Sequence, residues 1–180
     1  MKNPFPRREQ SDRFRFPALY AFDPPTRPLK RRQVKILRQW TAYLRSNPDK
    51  QGYDRLTTTT YDNNIQNDLH CCLGVLCEIA VDAGVIEKEQ NWAPSWDTGA
   101  AKTLVKYGAR GEVNESGVLP HSVLKWAGLP HNSGLRDGQG SAWDGYASLS
   151  ALNDGDEHFD RKDFAHIADA IDGWIDEYTK

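Results

Sequence analysis

Long apolar runs are missing from these 180 residues, and none approaches the roughly 20 residues that a bilayer-spanning helix needs. The leading Met-Lys-Asn-Pro-Phe-Pro-Arg-Arg has no apolar stretch of the kind that drives secretion, so no cleaved signal is expected. Cysteine is scarce: there are three, two of them adjacent, too few and too clustered for a disulfide framework. Their setting suits a reducing cytosol. Cys71, Cys72 and Cys77 also lack the Cys-x-x-Cys spacing of a zinc site, and no second cluster would complete a ligand set, so no metal is expected. Neither the phosphate-cradling P-loop nor the dinucleotide fingerprint occurs, which removes the common NTPase and NAD-dependent readings and leaves no cofactor. The acidic turn Asn153-Asp154-Gly155-Asp156 has its glycine in the wrong place for a calcium loop. No repeat of fixed period is found.

What remains is a chain of ordinary domain size, 27% charged and 38% hydrophobic, with a mean hydropathy of -0.72. Its charge is unevenly placed. Residues 1–38 hold eleven Lys/Arg against three acids, a net +8, while the rest carries -10. A basic segment is thus joined to an acidic body, which either folds back on itself or meets an acidic or phosphate-bearing partner. Residues 1–30 interleave six prolines with Arg13-Phe14-Arg15-Phe16 and Leu19-Tyr20-Ala21-Phe22. They read as an extended arm whose aromatics dock on this domain or on a partner.

Residues 31–180 read as one α+β domain built around a buried helix at 71–84. Ile36, Leu37, Trp40, Tyr43 and Leu44 recur at steps of three and four, predicting a helix over Arg31–Arg45 with Arg31, Lys35, Arg38 and Arg45 on its outer face. Asn47-Pro48 ends it. The four threonines of Leu56–Tyr61, the Asp62-Asn63-Asn64 turn and Ile65–Leu69 predict a hairpin. Cys71–Ala83 is apolar around most of its circumference, with only Glu78 and Asp82 marking a wet side, and Gly84 supplies a left-handed stop. After Ile86 the chain reads as irregular. Thr103–Tyr107 predicts a strand and Glu112–Leu119 its interrupted return. Pro120 opens a short helix to Ala127, and the glycine-rich Pro130–Gly145 is the candidate for a mobile flap. Tyr146–Leu152 is short and apolar. A final helix starts near Asp160 as cap, with Phe164, Ile167, Ala168, Ile171, Trp174 and Ile175 as its apolar stripe. The expected architecture is three main helices with a small antiparallel hairpin sheet.

Two constellations could carry chemistry. Cys71 or Cys72 at a helix start would have its thiolate favoured by the amide dipole, and with His70 or His121 as general base would make a cysteine-dependent hydrolase. Yet Cys-Leu-Gly-Val-Leu reads as packing, and structural cysteines are the favoured reading. The second is aromatic and basic: six tryptophans, with Trp92, Trp96 and Trp143 in predicted loops, beside Arg31, Lys35, Arg38 and Arg45. Such faces stack a base and pair its phosphate. A body at -10 would repel a long polyanion unless the arm dominated, so nucleic acid enters only through the basic arm.

The succession Trp40, Leu44-Arg45-Ser46, Gln51-Gly52, Leu56, Cys71-Cys72-Leu73-Gly74-Val75-Leu76-Cys77, Gly84-Val85-Ile86, Leu119-Pro120, Trp126-Ala127-Gly128-Leu129, Leu152-Asn153-Asp154 and Ile167-Ala168 resembles a family of small, largely uncharacterised proteins encoded by tailed phages and prophages. The likeness spans about Arg31 to Glu177, and the cysteine box is its most specific part. It implies a phage accessory protein acting in the host bacterial cytoplasm and carries over no catalytic residue. The leading expectation is a non-enzymatic binder, with counter-defence as its context, that holds a host protein or a nucleotide-like ligand. The alternatives are the hydrolase above and a virion or head-assembly component.

Overall fold

The computed structural model describes residues 22–25, 27–62, 65–93, 102–112, 115–135, 148–155 and 160–179. Most of the proline-rich arm, the turn residues Asn63 and Asn64, and all but the first six residues of the glycine-rich flap lie outside these. The chain forms a single domain of mixed α and β structure. Among the described residues, no helix is long and apolar enough to cross a membrane.

Helix α1 runs Arg31–Ser46 and buries Ile36, Leu37, Trp40, Thr41 and Leu44, the stripe expected of its period. Tyr43, expected in that stripe, is 37% exposed instead. Thr41 takes the inward position because its hydroxyl reaches an acid on the last helix, described below. A single 3₁₀ turn, Pro48–Lys50, follows. Strands β1 (Thr57–Asp62) and β2 (Ile65–His70) pair as the predicted hairpin, from Thr57 opposite His70 to Asp62 opposite Ile65.

Helix α2, Cys72–Asp82, then carries the chain across the domain. Every residue from Cys72 to Cys77 is buried, with Ile79 and Ala80, and Gly84 follows at φ +67° as the expected left-handed stop. Gly74 is there because the helix presses on the backbone of Leu56: a Cβ at this position would fall inside the Leu56 carbonyl. The contact is reinforced when the Cys71 amide donates to that same carbonyl at 3.1 Å. Trp40, wholly buried, donates its indole N–H to the Cys72 carbonyl at 2.8 Å and so ties α1 to α2.

Of the stretch expected to be irregular, residues 91–93 are strand and residues 94–99 lie outside the described residues. Glu87–Ala93 forms β3, paired along its full length with β4, Lys102–Gly108. β1 and β4 join the two hairpins through Thr58 opposite Leu104 and Thr59 opposite Thr103, giving the antiparallel order β2-β1-β4-β3. Glu87-Lys88-Glu89-Gln90-Asn91 hides its strand character because β3 is an edge, where charge discourages unwanted pairing and is tolerated. The expected return strand over Glu112–Leu119 is absent among the described residues; only Glu115 bridges to Tyr107.

Helix α3 spans His121–Ala127, with Pro120 as its cap rather than its first residue and Gly128 (φ +78°) at its end. The short apolar segment is a helical turn and a half, α4, Leu149–Asp154, capped by Ser148. Helix α5, Phe164–Tyr178, buries the predicted stripe from Phe164 to Ile175. Its cap is Asp163, not Asp160: the Asp163 carboxylate accepts from the His166 amide at 2.8 Å. Lys162, whose amide donates to the Leu152 carbonyl, holds the preceding residues out of the helix.

Gln51 and Asn153 bracket these pieces together. Asn153, fully buried, accepts from the Cys72 amide at 3.1 Å and donates to the Gly52 carbonyl at 2.9 Å. Gln51 accepts from the Phe164 amide at 3.1 Å and donates to the Lys162 carbonyl at 2.8 Å. The free first-turn amides of α2 and α5 are thereby satisfied by side chains from elsewhere in the chain.

Gly74→Ala is expected to lower unfolding free energy by at least about 3 kcal/mol, since backbone meets backbone and neither can yield. Gly173→Ala, on the open face of α5 with nothing within 4 Å, should raise it by about 0.5–1 kcal/mol. Urea denaturation of both variants reads this contrast.

Candidate functional site

The four basic residues of α1 do not share one environment. α1 and α5 run antiparallel, and Arg38 donates to Asp172 and Asp176 while Arg45 donates to Asp169 at 2.6 Å and Asp172 at 2.7 Å. Asp172, the most sheltered of the three acids, also accepts from Thr41 at 3.1 Å. Burial lowers the pKa of each guanidinium, but the aspartates outweigh it and the net shift is upward. Each such pair at a half-open surface contributes about 0.2–1 kcal/mol. Arg38 and Arg45 are therefore engaged within the domain.

Arg31 and Lys35 are exposed, and no ion pair to either occurs among the described residues. Arg27, Lys30 and Arg32, all exposed, extend the same cationic end. The first turn of α1 contains no acid. Cations here oppose the positive end of the helix dipole, at a cost of about 0.3–1 kcal/mol for each one close to the terminus. The approach to this end is held in place: the Asp23 amide donates to Leu135 at 3.0 Å, Trp174 donates to the Asp23 carbonyl at 2.9 Å, and His131 meets the Asp23 carboxylate at 2.8 Å.

The cysteines are interior. Cys71 caps α2, its sulfur accepting from the Gly74 amide at 3.4 Å, and Cys72 donates its S–H to the Leu149 carbonyl at 3.4 Å. All three are free and buried. Loss of hydration outweighs the helix dipole and pushes the Cys71 thiol up to about 12, with Cys72 and Cys77 also raised well above the ordinary thiol value. Burial thus opposes the thiolate that a helix start alone would favour. Neither candidate base completes a dyad. His70 is bonded elsewhere, and exposed His121 borders an open cavity of about 420 Å³ with Glu115, His131 and Asn132, into which no cysteine projects.

A polar row that sequence reasoning missed crosses the sheet beneath α2. His70 Nδ1 lies 2.7 Å from the Thr57 hydroxyl, which lies 2.6 Å from the Tyr107 hydroxyl, which donates to Glu78 of α2. Lys88 of β3 donates to the same Glu78 oxygen at 2.8 Å and lies 3.9 Å from Asp68, which Thr59 bonds at 2.6 Å. The available signal was alternation: Thr57 and Thr59 share a face, opposite His70 and Asp68 in register. Trp92 falls in β3, and Trp96 and Trp143 lie outside the described residues, so the proposed cluster of loop tryptophans is not assembled by the described residues.

In the native protein at pH 8, iodoacetamide is expected to label none of the three thiols within the time that modifies free cysteine, and all three after unfolding. Mass spectrometry of the two samples checks this, and fast native labelling of Cys71 or Cys72 would restore the hydrolase reading.

No curated protein and no solved structure matches the chain. The family model described as "Domain of unknown function (DUF8296)" matches residues 32–174, by far the larger part of the sequence, so the chain belongs to that family.

Proposed function

We propose that this protein is a non-enzymatic phage accessory binder, an α+β domain led by an extended basic arm, which acts in the host bacterial cytoplasm in counter-defence. It engages a host protein or a nucleotide-like ligand through the cationic end of α1. The observation that carries this reading is the division of the helix's charges. The acids of α5 neutralise Arg38 and Arg45, while Arg31 and Lys35 stand exposed with Arg27, Lys30 and Arg32, and Lys30, Arg31 and Arg32 do so where the helix dipole disfavours cations. Local stability alone would place acids in that first turn. A charge arrangement that opposes local stability is the kind found where a surface is kept for contact. The phage setting rests on the resemblance of the cysteine box and its flanking motifs, and the binder reading gains from thiols sealed away from any substrate.

The double reversal Arg31→Glu/Lys35→Glu should weaken capture of the partner by more than about tenfold, the loss of roughly 1.4 kcal/mol of attraction. The same variant should melt at the wild-type temperature or slightly above it, because acids now face the positive helix end. Tagged protein recovered from infected cells, with titration of nucleotides and cyclic dinucleotides followed by tryptophan fluorescence, gives the binding comparison, and calorimetry gives the melting point. Unchanged binding by the reversed protein would remove the cationic end as the contact surface.

A further inference from the structure

The row from His70 to Glu78 has only one self-consistent direction. Paired with Lys88, the Glu78 carboxylate accepts, so the Tyr107 hydroxyl spends its proton there. Tyr107 oxygen can then only accept from Thr57, whose single hydroxyl proton is used in turn. Thr57 oxygen must therefore accept from His70, which places the imidazole proton on Nδ1 and leaves Nε2 bare. Among the described residues Nε2 has no partner, and His70 as a whole is 6% exposed.

We propose that His70 is an acid-operated release at the junction where the β1–β2 hairpin hands the chain to α2. A second proton has only Nε2 to enter, and there it creates a charge on a ring that is mostly buried and has no protein acceptor for it among the described residues. Burial comes first among the influences and holds the imidazole below its ordinary value. Glu78 from α2 and Asp68 from β2 favour the cation, while Lys88 from β3 and Lys50 from the 3₁₀ turn oppose it; Tyr107 from β4 faces it as a neutral hydroxyl. Because the folded state binds this proton less readily than the unfolded chain, the contribution to stability is complete above pH about 6.5 and declines as pH falls below that value. The backbone of His70 is what gives way: its carbonyl accepts from Gly52 at 2.7 Å and its strand bridges to Gln51, while the next residue, Cys71, donates to Leu56. Protonation thus loosens the segment that carries the Gln51 bracket.

The test uses the full chain and its His70→Asn variant, whose side-chain amide can stand near Nδ1, donate to Thr57 and take up no proton. Long-range nitrogen–proton NMR should show the Nδ1–H tautomer at pH 7.5 and a titration midpoint for His70 below 6.5. Amide exchange at Gly52 and Cys71, corrected for its intrinsic pH dependence, should quicken severalfold between pH 7.5 and 5.0 in the wild type and stay flat in the variant. An Nε2–H tautomer, an undisplaced midpoint, or equal quickening in both proteins overturns the proposal. Should the variant fail to fold, the wild-type tautomer and its exchange profile decide the matter without it.

Discussion

A buried amide with every hydrogen-bonding position answered is the constraint on which the domain turns. Asn153 is fully enclosed, and its oxygen receives the first amide of α2 while its nitrogen serves the Gly52 carbonyl and Asp154. Gln51 repeats the device one layer out, for the first amide of α5. Leaving either partner unmatched in so dry a place costs about 1–3 kcal/mol for each group, so the bracket enforces a single arrangement of α2, α4 and α5 more than it adds net stability. The bare approach of Gly74 to Leu56 belongs to the same joint, because a helix so placed needs both an anchored first turn and no side chain beneath it.

Charge is partitioned along α1 in a way that explains the lopsided sequence. The basic helix does fold back onto the acidic body, and from Arg38 onward its cations are engaged there: Arg38 and Arg45 meet three aspartates spaced along α5. Arg31, Arg32 and Lys35, ahead of them, are exposed. Self-docking thus accounts for Arg38 and Arg45 alone, and the proposed partner contact concerns only the cations that precede them.

How far these features could be read from residues depended on whether the signal was local. The period of Ile36, Leu37, Trp40 and Leu44, the turn-flanked threonines and the mostly apolar surface of the cysteine helix each lie within one element, and each formed as its pattern dictates. Strand β3 was illegible because an edge strand tolerates Glu-Lys-Glu-Gln-Asn, a composition that mimics a loop. Choosing Asp163 over Asp160 required knowing that Lys162 is held by Leu152. The weight of burial on the helix-start thiols was hidden for a related reason: the dipole is local and visible, whereas desolvation is a property of the whole fold. The row from His70 to Glu78 joins β2, β1, β4 and α2, and no single window of sequence contains it.

The strand order bears on how such a chain assembles. β1 and β2 are neighbours in sequence, as are β3 and β4, yet the seam in the middle of the sheet pairs Thr58 with Leu104, residues separated by an entire hairpin return, a helix and a further strand. Each hairpin closes a short loop at small entropic cost, whereas the seam must close a long one. α2, which bridges the two outer strands, shortens that search by carrying the chain from one rim to the other. The centre of the sheet is accordingly the pairing that closes the longest loop, and the greasy helix supplies the span between the two rims.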